Sequence, residues 1–174
     1  MTETTPSREE CIEILKKSGC NKNVIAHCLT VEGLAVQIAA LAKADKNLVS
    51  LGALLHDIGR GKTHGIKHAV KGAEMVRELG LSDKIALIIE RHIGAGLTRE
   101  EAEKLGLPNR NYMPETLEEK IVAHADNLID DNKKGPVSEV VEHFEKLGYK
   151  EVAKKVIVLH NELSHICGID LDLI

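Results

Sequence analysis

The chain has 174 residues, enough to bury a core of its own in one domain. Its 23 basic and 27 acidic residues leave a net charge of −4, so it has no global basic field with which to grip duplex nucleic acid. Aromatics are 2% with no Trp, which disfavours a base-stacking platform, and no run of 18 consecutive apolar residues predicts a membrane span. No apolar signal-type segment opens the chain, so a cytoplasmic, soluble protein with no membrane partner is expected. Cys11, Cys20, Cys28 and Cys167 show no C-x-x-C spacing and read as buried free thiols.

Residues 1–6 are polar and read as a flexible tail. Ser7-Arg8-Glu9-Glu10 is a capping box that opens a helix to about Lys17. After a turn at Gly19–Asn23, His27, Val31, Leu34, Ile38 and Leu41 step by four and three, which predicts a helix from about Asn23 to Ala44. Leu48, Leu51, Leu55 and Ile58 predict the next, from about 47 to 58, with His56 and Asp57 in its last turn. Gly59 and Gly61 are expected to stop it by taking the left-handed conformation.

A basic turn with Arg60, Lys62 and His64 follows. The next helix, about 66–79, puts His68, Gly72, Met75 and Leu79 on one face, and the one after, about 82–92, does the same for Ile85, Ile89 and His92. Residues 93–116 are irregular apart from a short capped helix from Thr98 to about Lys104; a loop of that length is usually functional or loosely ordered. Thr116-Leu117-Glu118-Glu119 is a second capping box, starting a helix to about Asp130. A polar turn at 131–136 precedes two last helices, about 137–146 and 150–167. The expected fold is an all-α, single-domain helical bundle over residues 7–174, with roughly eight helices.

Several of these helices carry a histidine or an acid at an inward step: His27, His56-Asp57, His68, His92 and Asp126. One buried histidine is usually a hydrogen-bonded core residue. Four, with a carboxylate pair, would cost several kcal/mol to bury separately, and that cost falls if they share a cation. Imidazole and carboxylate together suit Mn, Fe, Co, Ni or Zn. On the helix starting at Leu117, spacing alone accepts either His124 or Asp126 as a ligand. Arg60 and Lys62 read either as a solvated basic turn or as phosphate contacts. His64 is open between substrate contact and solvent; Arg91 and Arg110 read as surface charge ahead of phosphate or nucleotide contacts; His143, His160 and His165 read as structural or exposed.

These residues resemble the HD-domain superfamily of metal-dependent phosphohydrolases, whose H…HD…D pattern is matched by His27, His56-Asp57 and Asp126. His56-Asp57-Ile58-Gly59 resembles the HDIG subgroup, and His68 and Arg91-His92 resemble the extra histidines of dinuclear members, including HD-type dinucleoside tetraphosphate hydrolases. The resemblance covers about residues 24–130 and selects Asp126 over His124. It implies one or two divalent metals (Mn, Fe, Co, Ni, Zn or Mg): the first on His27, His56, Asp57 and Asp126, the second on His68 and His92, with Asp57 shared.

The implied activity is hydrolysis of a nucleotide or related small-molecule phosphate ester by a metal-activated hydroxide, with Asp57, Lys62 and Arg60 as catalytic residues. Arg60 stands where many relatives carry Lys, which shifts the cation's role toward Lys62, and the GYP element of cyclic-dinucleotide phosphodiesterases is missing between His68 and His92. The alternatives are a nucleotide- or metal-binding module without turnover and a di-iron oxygenase on the same scaffold. A homodimer is the default assembly.

Overall fold

The computed structural model describes residues 3–174. Helix α1, Arg8–Lys17, starts at the capping box: Glu10 N–H donates to the Ser7 hydroxyl at 3.1 Å and Ser7 N–H to the Glu10 carboxylate at 2.6 Å. Within the expected tail, Thr4 N–H donates to the Gly80 carbonyl at 3.0 Å, while Met1 and Thr2 lie outside the described residues.

Helix α2, Lys22–Ala42, is capped by the Asn21 side chain and packs against α3 (Lys46–Leu55), α7 (Leu117–Leu128) and α9 (Lys150–Cys167). By length and composition α2 could cross a membrane. Here Val31, Ala35, Ile38 and Ala39 are fully buried in the core. Its buried acid, Glu32, takes two bonds from the Arg8 guanidinium at 2.7 and 2.6 Å and one from Ser50 at 2.6 Å.

Between these lie a 3-10 turn (Ile58–Gly61), α4 (His68–Glu78), α5 (Asp83–Glu90) and α6 (Arg99–Lys104); α8 (Val137–Lys146) precedes α9. Among the described residues there are thus nine α-helices, one for each segment taken as helical in chain order. The predicted helix to Asp130 stops at Leu128, and Ile129–Asp130 (β1) pairs antiparallel with Lys133–Lys134 (β2). Asp131 and Asn132 between them have φ of 46° and 59°, the left-handed pair that a tight two-residue hairpin needs.

Two apolar clusters share α3. Val49 and Ala53 join Val31, Ile38, Ile121 and Val156, while Leu51, Leu54 and Leu55 join Leu15, Ile85 and Ile89. The end of α3 therefore leaves the buried interior, where an ionisable side chain has few places to go.

Two expectations at that end are corrected. The helix stops at Leu55, so His56 is its cap and Asp57 begins the 3-10 turn. Gly59 and Gly61 are absent from the left-handed positions, and a close approach explains each. A Cβ on Gly59 would stand 1.9 Å from the His68 carbonyl oxygen and 2.8 Å from Gly72 N; one on Gly61 would stand 2.2 Å from the Ser18 oxygen. The glycines let α4 and the α1–α2 turn press onto the motif.

Candidate metal centre

Six side chains from five segments converge. His27 Nε2 on α2 lies 2.9 Å from Asp126 Oδ1 on α7, and His56 Nε2 lies 3.4 Å from the same oxygen. Asp57 Oδ2 is 3.7 Å from His56 Nε2 and 3.9 Å from His27 Nε2. Its other oxygen, Oδ1, faces the opposite pair, 3.0 Å from His68 Nε2 and 3.6 Å from His92 Nε2. Two donor groups, His27/His56/Asp57 and Asp57/His68/His92, each have their atoms within 4.8 Å of one another, and a third, His56/His92/Asp126, overlaps both. One carboxylate thus presents an oxygen to each half of the cluster.

Local structure dictates which nitrogens face inward. His56 Nδ1–H donates to the Ala53 carbonyl at 2.7 Å, His68 Nδ1–H to Gly65 at 2.9 Å, and His92 Nδ1–H to Ile89 at 2.6 Å. A carbonyl can only accept, so the proton of each neutral ring is on Nδ1 and Nε2 carries a lone pair. Ala53 and Ile89 lie in the last turns of α3 and α5, where helix carbonyls lack partners, so His56 and His92 satisfy those carbonyls while their outer nitrogens point into the cluster.

The consequence is a site short of positive charge. His68 Nε2 and His92 Nε2 are 3.1 Å apart, lone pair toward lone pair. His56 Nε2 and Asp57 Oδ1 are buried without a hydrogen-bond partner. Such atoms are costly to bury unless a cation sits among them, and soft-to-intermediate nitrogen and hard oxygen donors in this ratio fit a divalent transition metal. The residues present therefore fit one or two such ions. Held carbonyl-bound on the far nitrogen, each imidazole is also oriented as metal-ligating histidines usually are.

The ionisation of the cluster agrees. Burial works to raise the pKa of Asp57, but the surrounding imidazoles of His56, His68 and His92 overcome it and hold the carboxyl well below the usual range. Asp126 is lowered against its own burial by His56 and His27. Burial likewise opposes charge on His56, yet Asp57 and Asp126 raise it well above an ordinary histidine, whereas burial wins at His92 and lowers it. The two acids stay ionised and attract positive charge.

Arg60 and Lys62 part company. The Arg60 guanidinium donates through Nε to Asp57 Oδ2 at 2.8 Å and through Nη1 to the His64 carbonyl at 3.3 Å, while Lys62 and His64 are exposed. His124 turns away from the cluster and meets His160 at 2.9 Å, so Asp126 is the residue of α7 that joins His27 and His56. The reading of Arg91 as surface charge is corrected, since it is mostly covered and binds the buried Glu119 at 2.9 Å; Arg110 is exposed, as read, and reaches the buried Glu90 at 3.0 Å. Sequence reasoning missed Asn127, whose Nδ2–H donates to the Gly94 carbonyl at 2.9 Å and ties α7 to the segment after His92; only its place beside Asp126 hinted at it.

Residues 24–131 match the family model described as HD domain. An uncharacterised protein of Methanocaldococcus jannaschii is 52% identical over 165 residues, covering 91% of this chain and 97% of that protein. A tRNA (cytidine(56)-2'-O)-methyltransferase of Thermoplasma volcanium is 48% identical over 167 residues, covering 96% of this chain but 49% of the methyltransferase. The chain thus spans about half the length of that relative. A Ribonuclease Y of Fervidobacterium nodosum is 30% identical over 162 residues, covering 91% of this chain and 28% of the nuclease. Among solved structures, the HD domain of the L. monocytogenes phosphodiesterase PgpH matches with a TM-score of 0.59 at 18% identity, over 94% of this chain and 95% of that one, which shows the fold.

Proposed function

The chain belongs to the HD-domain family, and from that premise we propose that it is a metal-dependent phosphohydrolase whose substrate is a nucleotide phosphate ester of RNA origin. One observation carries the reading: His68 Nε2 and His92 Nε2 face each other at 3.1 Å with both Nδ1 atoms committed to carbonyls. A cation between them satisfies that pair. His27, His56, Asp57 and Asp126 would hold a first ion, and His68 and His92 a second, with Asp57 shared. When bound, such ions supply Lewis acidity and a water acidic enough to react near neutral pH.

The chain's own residues do the rest. Arg60 grips Asp57 Oδ2 and so fixes how the carboxylate divides its oxygens between the two halves. Exposed Lys62, in the adjoining turn, is free to meet a phosphate oxygen as a point charge. The carbonyl bonds at His56, His68 and His92 keep the rings from rotating. The relative that is a ribonuclease and the relative that methylates tRNA support RNA as the parent of the substrate.

Metal content of gently purified protein, followed by a release assay with that metal on mono-, di- and oligonucleotides, tests the proposal. One or two ions per chain and hydrolysis abolished by Asp57→Ala are expected. Metal-loaded protein that hydrolyses none of these esters would overturn it.

A further inference from the structure

Two concavities meet at the half-buried ring of Phe144, one of about 250 Å³ and one of about 190 Å³. Each is walled by sequence neighbours of the cluster residues. Asn127, next to Asp126, lines the first; Ile66, two before His68, and Ile93 and Gly94, next after His92, line the second. The Asn127 bond to Gly94 joins the two walls at 2.9 Å. A third hollow of about 340 Å³ continues the second past Tyr149 and Leu97.

The aromatic residues make this groove unlike the rest of the surface. The chain has one Phe, two Tyr and no Trp. Tyr112 is buried, 2% exposed, with its hydroxyl donating to the Pro108 carbonyl at 3.0 Å. The other two rings, Phe144 and Tyr149, both line the groove, and Tyr149 is 53% exposed. Three aromatic side chains cannot tile a platform, but two facing a slot walled by Ile66 and Ile93 can hold a flat ring.

We propose that the groove seats the nucleobase of the ester whose phosphate meets the cluster, stacked against Phe144 and Tyr149. The proposal rests on the nucleotide-hydrolase reading above and adds what selects its substrate. Stacking on apolar and aromatic walls tolerates any base, because every base has a π-face, so the groove distinguishes base-bearing esters from base-free ones without ranking the bases.

The few aromatic residues make the test direct. Adenosine 5'-monophosphate added to the full chain should shift the ring resonances of Phe144 and Tyr149 and leave those of Tyr112 in place, while ribose 5-phosphate shifts none. In the metal-loaded enzyme, Tyr149→Ala should raise KM for a diribonucleotide roughly ten-fold at unchanged kcat. Tyr149→Phe should restore it, and KM for a base-free ribose phosphate ester should not move. Rings that ignore the mononucleotide, or respond equally to ribose 5-phosphate, would overturn the groove. Diribonucleotide hydrolysis with a KM indifferent to Tyr149→Ala would overturn it too and leave the hydrolase reading standing. Base-dependent ring shifts with no ester hydrolysed would sink the hydrolase reading and keep the groove.

Discussion

Two groups of histidines and acids lie on the same helix, α7, and they behave as opposites. Around Asp126, the imidazoles of His56, His68 and His92 spend their Nδ1 protons on carbonyls and aim lone pairs at one another. Around His124, the nitrogens form a line. His160 Nε2–H donates to Asp170 Oδ1 at 3.0 Å, so His160 Nδ1 must accept from His124 Nε2–H at 2.9 Å. His160, Asp170 and Asp172 also lie within 4.8 Å of each other. Their oxygens are already taken, since Asp172 N–H donates to Asp170 Oδ1 and Val137 N–H to Asp172 Oδ1, both at 2.9 Å. Convergent lone pairs call for a cation, whereas in the relay donors and acceptors alternate, and only His124 Nδ1 at its buried end lacks a partner. The second cluster fastens the C-terminal turn, Leu171–Leu173, to the bundle.

Breaking the first cluster should have the largest effect. Asp57→Ala removes the oxygens that both halves share, and metal analysis should show the bound metal lost, a larger effect than the 10–100-fold typical of losing an outer partner. Next comes Gly59→Ala, which forces backbone apart where a Cβ would sit 1.9 Å from the His68 carbonyl. A loss on the order of several kcal/mol in denaturant unfolding is expected, with weakened metal binding because His68 moves. Arg60→Ala leaves every ligand in place but frees Asp57 Oδ2. Metal affinity measured by competition with a chelator should drop roughly 10–100-fold with the fold intact.

The second cluster is sharpened by pH. Burial, helped by His160, pushes the His124 pKa down to about 3 from an ordinary 6.5. Below about pH 6.5 the unfolded chain therefore binds a proton that the folded chain refuses. Stability should fall with acid between those two values, by up to about 1.4 kcal/mol per pH unit from this group. His124→Gln should flatten that part of the curve, and an unchanged slope would count against the relay. The smallest effect is expected from Asp170→Asn at the exposed end: about 1 kcal/mol of stability and no change in metal content. Metal lost on that substitution would erase the distinction between the clusters.

Much of this is legible in the sequence. Capping residues announced α1, α6 and α7; the box at Ser7 forms as written, while at Thr116 only the cap bond forms, because the Glu119 carboxylate accepts from Glu115 N–H and Arg91 instead. Helical stepping put His27, His56, His68 and His92 on inward faces, and all four reach the cluster. Other features could not be read. The hairpin after Leu128 depends on two successive left-handed residues that are not glycine, Asp131 and Asn132, which local propensity only weakly favours. Arg91 reads as surface charge because its buried partner, Glu119, lies on another element, 28 residues away.

The sequence by itself determined that helices form, where they are capped, and which polar residues each turns inward, because propensity and periodicity act over one or two turns. Tertiary structure decided the rest. It chose Asp126 over His124, turned Arg60 onto Asp57, and made Gly59 a point of contact rather than a flexible stop. Each of those outcomes depends on what another helix places within 3 to 4 Å, a distance that spacing along one chain segment does not encode.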